Sequence, residues 1–507
     1  MSENLVSIIA DRSPGRERTF LTTLDGRRLS YGEAFDLAGR YANVLSQKGV
    51  AVGDRVAVQV EKSPEALVLY LACLRAGAVF LPLNTGYTIG EVEYFIDDAR
   101  PRLVVSSPGK RDAIAPVAAR LGVAAVETLG TENDGSLPRL ASEAGTDFAT
   151  VGRDADDLAA ILYTSGTTGR SKGAMLTHAN LASNAATLVD CWRFTPADVL
   201  LHALPIFHTH GLFVATNVAL FSGASMVFLP KFDVAAVRAA LPRATCMMGV
   251  PTFYTRLLRE DWLDRSATAH MRLFVSGSAP LLADTHREWT ARTGHRVLER
   301  YGMTETSMIT SNPYDGERVP GSVGFPLPGV SVRIADPDTG ALLPANAIGV
   351  IEVKGPNVFK GYWRMPEKTR SEFRADGFFV TGDLGTIDDR GYVSIVGRGK
   401  DLVITGGFNV YPKEVEVEID AIPGVEESAV IGVPHPDFGE GVTALVVRRP
   451  GSALGEADVL KALDGRLARF KLPKRVLFVG SLPRNTMGKV LKGDLRKEYA
   501  ALYEPAS

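Results

Sequence analysis

Short apolar runs separated by helical stretches recur along the chain and constrain its fold more than any other feature. Arg55-Val56-Ala57-Val58-Gln59-Val60 reads as a strand, residues 65–76 as a helix stopped at Gly77, and Ala78-Val79-Phe80-Leu81-Pro82-Leu83 as the next strand. Leu103-Val104-Val105-Ser106, Ser225-Met226-Val227-Phe228 and Leu273-Phe274-Val275-Ser276 repeat the theme. Such alternation predicts α/β packing in layers around largely parallel sheets. After about Gly321 the texture changes. Residues 330–334, 349–353 and 392–396 are short strands split by Gly, Pro and Asp turns, which suggests a small β-rich, barrel-like subdomain. From Asp401 onward, strands such as residues 427–433 and 443–447 mix with a helix near residues 457–467, a separate α+β unit.

Composition excludes several classes of function. The 507 residues are 45% hydrophobic and 22% charged, ordinary for a chain with a large core. A net charge of −2 makes no case for binding nucleic acid or a membrane surface. Cys73, Cys191 and Cys246 are scattered and odd in number, which suggests a reducing compartment without a disulfide framework. The start, Met1-Ser2-Glu3-Asn4, lacks the basic and apolar segments of a secretory signal, so a cytoplasmic protein is expected. The most apolar region, residues 203–230, is interrupted by His208, Thr209, His210, Asn217 and Ser222. It is too broken for a bilayer span.

The densest chemistry lies in Tyr163-Thr164-Ser165-Gly166-Thr167-Thr168-Gly169-Arg170-Ser171-Lys172-Gly173. Glycines let backbone N–H groups approach a ligand, hydroxyls add donors and lysine adds a compact charge, so the loop suits a polyphosphate. It is not a Walker A loop, because the spacing is wrong and no hydroxyl follows Lys172. A dinucleotide fingerprint is absent too, which leaves a bland surface connector as the alternative. Further segments carry matching chemistry. Leu298-Glu299-Arg300-Tyr301-Gly302-Met303-Thr304-Glu305 ends in a hydroxyl and a carboxylate suited to magnesium. In Phe379-Val380-Thr381-Gly382-Asp383-Leu384-Gly385 a carboxylate follows a tight turn and suits ribose hydroxyls. Gly397-Arg398-Gly399-Lys400-Asp401, Thr405-Gly406-Gly407-Phe408-Asn409 and Pro483-Arg484-Asn485-Thr486-Met487-Gly488-Lys489 complete the series.

In order and spacing these segments resemble the adenylate-forming superfamily of acyl-CoA synthetases, luciferases and peptide-synthetase adenylation domains. The resemblance runs from about residue 20 to residue 500. It implies a large N-terminal domain, residues 1–399, and a small mobile C-terminal domain, residues 400–507, with the pivot at Lys400. It implies a two-step reaction as well. A carboxylate attacks the α-phosphate of ATP to give an acyl-adenylate and pyrophosphate, and a thiol then displaces AMP.

The resemblance also implies residue roles. Thr164, Ser165, Gly166, Thr167, Thr168, Gly169 and Lys172 would hold the β- and γ-phosphates. Ser278-Ala279-Pro280 would lie along the adenine, Tyr301 of Tyr301-Gly302-Met303 would stack on it, and Thr304 would meet the α-phosphate. Glu305 would carry Mg2+, and Asp383 and Arg398 the ribose. Lys489 would be the catalytic lysine, its ammonium stabilising charge that builds on the α-phosphate oxygens. Acetylation of Lys489 by a lysine acetyltransferase, reversed by a deacetylase, would remove that charge. Relatives include homodimers, which leave no signature here.

After rotation about Lys400, Gly406, Gly407 and Phe408 would line a pantetheine channel for coenzyme A. The basic cluster Arg466, Arg469, Lys471, Lys474 and Arg475 could meet its phosphates, or form a solvated face. The chain stops soon after Lys489 with no carrier domain, so a free thiol is the simpler acceptor. For the acid, Arg256 and Arg300 stand where fatty-acyl and aryl relatives carry apolar or small residues. A buried arginine needs an anion, and its fork suits a carboxylate. The pair resembles malonyl-CoA synthetases, which implies a dicarboxylate clamped at one end, with Ser276 and His208 as further hydrogen-bonding groups. The alternative is that both arginines pair with the protein's own acids, such as Glu299 or Glu260.

Overall fold

The computed structural model describes residues 3–164, 171–405, 408–467 and 469–504. These form two compact units: residues 1–320, 324–331 and 353–379 in the first, and residues 321–323, 332–352 and 380–507 in the second.

The first unit contains two large sheets. One runs in the order Gly361–Tyr362, Lys172–Thr177, Leu158–Thr164, Val79–Pro82, Arg55–Gln59, Leu103–Ser106, Ala125–Thr128. From Leu158–Thr164 to Ala125–Thr128 the strands pair in parallel, as the alternation of strands and helices requires. The connecting helix Pro64–Arg75 shows why the local sequence folds this way. Ser63 caps it by accepting from the Ala66 N–H, Pro64 supplies a pre-set first turn, and Leu67 to Leu74 are buried without a break. Gly77, at φ +70°, turns the chain back into the next strand.

The other sheet is nine-stranded among the described residues. Its parallel centre includes Val199–His202, Cys246–Gly249, Leu273–Ser276 and Leu298–Met303. Leu201, Met247, Phe274, Tyr254 and Trp289 fill the core on one face. The four strands end side by side, and their carboxyl ends lead into residues 208–210, the helix Pro251–Leu257, Ser278 and Thr304. In parallel sheets of this kind ligands sit in the crevice beyond the carboxyl ends of the strands.

The second unit holds a four-stranded sheet, Ser331–Ala335, Gly349–Lys354, Phe379–Ile387 and Val393–Arg398, where the sequence suggests a β-rich subdomain. It also holds a five-stranded sheet built on the long hairpin Val425–His435 and Gly439–Arg448. Helix Pro412–Asp420 packs Val415 and Ile419 into that sheet's core with Val430 and Val446. Among the described residues no helix is long and apolar enough to cross a membrane.

Two details differ from the sequence reading. Asp383 does not follow a free-standing turn; it lies within the strand Phe379–Ile387, where Gly382 at φ +72° distorts the pleat. Residues His210–Thr216 form a π-helix, whose wider turn no local sequence pattern announces.

Candidate active site

The stem of the glycine-rich loop is an antiparallel hairpin in which Tyr163 pairs with Gly173 and Thr164 with Lys172. Ser165, Gly166, Thr167, Thr168 and Gly169 lie outside the described residues. Helix Ile89–Ala99 fixes the stem: Asp98 accepts from the Tyr163 hydroxyl, and the Tyr94 hydroxyl donates to the Ser171 carbonyl at 2.6 Å. Lys172 is buried. Its Nζ lies 3.3 Å from Glu372 Oε1 and 4.1 Å from the centre of the Tyr362 ring.

Glu305 reaches the same place from the hairpin Leu298–Met303 and Ser307–Ser311. A side chain at Gly302 would overlap the Ser307 carbonyl, so glycine is required for the two strands to approach. Tyr301 and Thr304 are half-buried on this hairpin, while Glu305 is buried. The Tyr362 hydroxyl lies 3.0 Å from Glu305 Oε1 and 2.7 Å from Glu372 Oε2. Thr164 Oγ1 is 3.5 Å from Glu305 Oε1. The sequence reading missed Tyr362 and Glu372. Both come from a segment some two hundred residues beyond Lys172, and only the antiparallel pairing of Gly361–Tyr362 with Lys172–Thr177 brings Tyr362 in.

Ser278 follows the strand Leu273–Ser276 and adopts φ +71°, a left-handed conformation that serine rarely takes. Its hydroxyl lies 3.2 Å from His210 Nδ1. Ala279 is half-buried and Pro280 exposed.

Arg300 is 3% exposed, and its Nε and Nη2 have no hydrogen-bond partner among the described residues. The same holds for Ser276 Oγ and His210 Nε2. The guanidinium lies on the backbone of Gly277, where a Cβ would come within 2.5 Å of Arg300 Cζ. Burial pushes the pKa of Arg300 down, yet a guanidinium keeps its charge at neutral pH. Burial, with Arg300 adding to it, pushes His208 down to about 4 and His210 well below its ordinary value. Both imidazoles are therefore neutral, and Arg300 is the charge they face. A buried guanidinium with open donor positions is built for an oxyanion.

Arg256 is not brought to this pocket. It is exposed on helix Pro251–Leu257, off the buried positions Pro251, Tyr254 and Leu257, and rests 4.9 Å over the Phe232 ring. Phe232 in turn stacks on Phe253 at 3.9 Å. Arg256 thus differs from Arg300 in being exposed and in resting on an aromatic ring.

In the second unit, Asp383 and Arg398 are direct cross-strand partners joined by a 2.7 Å ion pair. The Thr381 hydroxyl anchors the strand by donating to the Ile351 carbonyl. Lys489 lies in a tight loop stitched by Asn485, whose Oδ1 accepts from the N–H groups of Met487 and Lys489. Arg484 ties the loop down by bonding both the Gly488 carbonyl and Glu427. Burial pushes Lys489 down to about 8; Arg398 and Lys400 act in the same direction, and Asp383 and Asp401 oppose them. These groups therefore surround one ammonium. Lys400 is exposed in the turn Gly399–Asp401, and Arg496 holds Asp401 at 2.7 Å.

The expected coenzyme A residues are less gathered. Gly406 and Gly407 lie outside the described residues, and Phe408 is exposed and stacks on Phe470 at 4.8 Å. Arg469 is exposed. Lys471 is bound to Glu414 at 2.7 Å, and Arg475 and Arg466 also pair with acids, Glu456 and Glu418. Much of the basic cluster is thus neutralised within the protein.

Comparison with known proteins gives this geometry its setting. Residues 9–363 match the model of the AMP-binding enzyme family, and residues 414–489 match the AMP-binding enzyme C-terminal domain. The crystal structure of ATP-bound MatB from Rhodopseudomonas palustris is 66% identical, covers 99% of this chain and 100% of that one, and superposes with a TM-score of 0.98. A malonate–CoA ligase of Arabidopsis thaliana is 35% identical over 93% of this chain and 85% of its own. A feruloyl-CoA synthase of an Amycolatopsis species is 37% identical over 94% of both chains. The chain belongs to the AMP-binding enzyme family.

Proposed function

We propose that this protein is an ATP-dependent acid–thiol ligase that converts malonate, ATP and coenzyme A into malonyl-CoA, AMP and pyrophosphate. Malonate–CoA ligases recur among the relatives, alongside a feruloyl-CoA synthase of similar identity. The observation that carries the choice is Arg300. A buried guanidinium with two unpartnered nitrogens disfavours an apolar acyl group and suits a second carboxylate. Relatives named as malonate–CoA ligases agree with this.

In the first step one malonate oxygen bonds to the α-phosphorus, the bond to the bridging oxygen breaks, and pyrophosphate leaves. Arg300 holds the far carboxylate, with Ser276 and His208 adding hydrogen bonds. Arg256 can join the clamp only by leaving Phe232. Thr164, Lys172 and the glycine-rich loop between them hold the departing phosphates. Tyr301-Gly302-Met303 and Ser278-Ala279-Pro280 hold the base, Thr304 the α-phosphate, and Asp383 and Arg398 the ribose. Lys489 stabilises the charge that develops at phosphorus. In the second step the thiolate of coenzyme A attacks the acyl carbon and AMP departs, with Gly406, Gly407, Phe408, Arg469 and Lys471 as its contacts after a pivot at Lys400.

Magnesium fits this site as a companion of the nucleotide. Glu305 is a buried carboxylate near a threonine hydroxyl, and no group of three or more His, Cys, Asp or Glu among the described residues forms a cage for a metal. A hard cation here would complete its shell with phosphate oxygens and water, and would neutralise the departing pyrophosphate.

We place the enzyme in the cytoplasm, in keeping with three free cysteines. Acetylation of Lys489 would silence the first step, and mass spectrometry of that peptide from cells tests whether it occurs. The central test is pyrophosphate release and coenzyme A-dependent AMP formation with malonate, methylmalonate, succinate, acetate and benzoate. Malonate should give the highest kcat/KM; a preference for acetate or benzoate would sink the diacid reading.

A further inference from the structure

We propose that Glu372 is the resident counter-ion of Lys172, and that Tyr362 couples its release to the loading of Glu305. The inference rests on the reading of Lys172 and Glu305 as the polyphosphate and magnesium residues. It assigns a role to two residues outside that set.

The geometry is a connected chain of four side chains. Lys172 Nζ is 3.3 Å from Glu372 Oε1, and its ammonium also faces the Tyr362 ring. Glu372 Oε2 is 2.7 Å from the Tyr362 hydroxyl, which is 3.0 Å from Glu305 Oε1. Lys368 completes the surroundings of Glu372 at 2.6 Å. Lys172, Tyr362 and Glu305 are all buried.

A phenol has one hydrogen to donate. Two carboxylates flank this one, so the hydroxyl serves either Glu305 or Glu372 at a given moment. With the hydrogen on Glu305, that carboxylate is engaged and Glu372 depends on Lys172 and Lys368. When a cation takes Glu305, the hydroxyl turns to Glu372. Glu372 is then satisfied by Tyr362 and Lys368, and Lys172 can leave it for a phosphate. The ammonium is never without an anion in either arrangement, which avoids the cost of an unpaired buried charge. When pyrophosphate departs, Glu372 takes Lys172 back. Tyr362 and Glu372 are therefore positioning residues: they act through Lys172 and Glu305.

The sign of the effect follows from charge. Glu372→Gln keeps a group able to bond the Tyr362 hydroxyl but removes the anion competing for Lys172. It also removes a negative charge close to the polyphosphate. Both changes favour bound nucleotide, so calorimetry should show Mg·ATP and Mg·pyrophosphate binding about 5- to 20-fold more tightly. Turnover limited by pyrophosphate release should slow, so that KM for ATP and kcat fall together. Tyr362→Phe keeps the ring under Lys172 and removes the coupling hydrogen. Its effect on the magnesium dependence of ATP binding should be non-additive with that of Glu372→Gln in a double-mutant cycle.

Lys172→Met separates the two levels of the argument. If it leaves Mg·ATP affinity unchanged, the reading of the phosphate site fails and this inference falls with it. If it weakens binding while Glu372→Gln weakens binding or leaves it unchanged, the counter-ion role alone is overturned. Strict additivity of Tyr362→Phe and Glu372→Gln overturns the coupling. Unfolding temperatures of the ligand-free variants check that each is folded, and Glu372→Asp should restore part of the wild-type affinity.

Discussion

Arg300 and Lys489 show two opposite uses of burial at a single residue. Burial around Arg300 lowers its pKa but cannot strip a guanidinium of its charge near neutrality, so the site must supply an anion from outside. Arg300→Ala should therefore lower kcat/KM for malonate by at least about 100-fold while ATP affinity changes by less than about threefold, because one member of a buried charge pair is lost and the nucleotide contacts are not. Isothermal titration with ATP beside initial rates with malonate separates the two. Arg256→Ala, which removes an exposed side chain resting on Phe232, distinguishes a clamp of one arginine from a clamp of two. Lys489 is different, because an ammonium titrates. Burial, and then Arg398, bring it down to about 8. In the proposed mechanism the charged form is the active one, so raising the pH through that value removes the stabilising charge. Pyrophosphate release should fall roughly tenfold per pH unit once the pH is well above about 8, and Lys489→Arg should move that alkaline limb upward. A limb that stays in place in the arginine variant would assign the titration to another group.

At the scale of elements, legibility followed the range of the interaction. Strands such as Leu103–Ser106, Ser225–Phe228 and Leu273–Ser276 could be read directly, since a buried parallel strand is an unbroken apolar run. The π-helix could not, because residues His210–Thr216 are buried on every side and leave no periodic face. Asp383 was found by its motif, but its ion pair with Arg398 depends on cross-strand register. Tyr362 and Glu372 were invisible for the same reason on a longer scale: their meaning lies in Lys172, on another strand, and Glu305, in the turn of another hairpin. Arg256 shows the reverse case, a residue singled out by its motif that the helix Pro251–Leu257 turns outward. The hairpin carrying Tyr301, Thr304 and Glu305 is the element on which most of the proposed site depends. A methyl group at Gly302 would meet the Ser307 carbonyl and the Met308 side chain. Backbone cannot yield as a flexible side chain does, so Gly302→Ala should cost about 1–3 kcal/mol of stability. It should also raise the KM for ATP, since Glu305 would shift with the strand. Denaturant unfolding and ATP kinetics on the same sample check both halves; an unchanged midpoint would show that the hairpin can relax.

For the whole molecule, the question is how one chain serves two reactions with different chemical needs. In the proposed mechanism the first step needs Lys489 at the α-phosphate, and the second needs a thiol at the acyl carbon. Lys489, Asp383, Arg398 and Lys400 are gathered within the second unit, where the five-stranded sheet and the strands Phe379–Ile387 and Val393–Arg398 form one compact body. The proposed pivot, Lys400, therefore lies inside that body, in a turn of three residues. It follows a glycine whose Cβ position is nearly open, the nearest atom being the Gly382 carbonyl oxygen at 3.4 Å. Its side chain is exposed, so replacing it removes little packing. Proline there would fix φ near −65° and so narrow the range of backbone angles open to the turn. If the second step needs the turn to open, Lys400→Pro should keep malonate-dependent pyrophosphate release within about threefold of wild type. The same variant should lose coenzyme A-dependent AMP formation by about 100-fold or more, because a locked hinge blocks one conformation and leaves the other. Lys400→Ala, which removes the side chain and leaves the backbone free, should retain both activities to within a few-fold. Loss of the thiol step in the alanine variant as well would show that the Lys400 ammonium, and not rotation at this turn, is what that step requires.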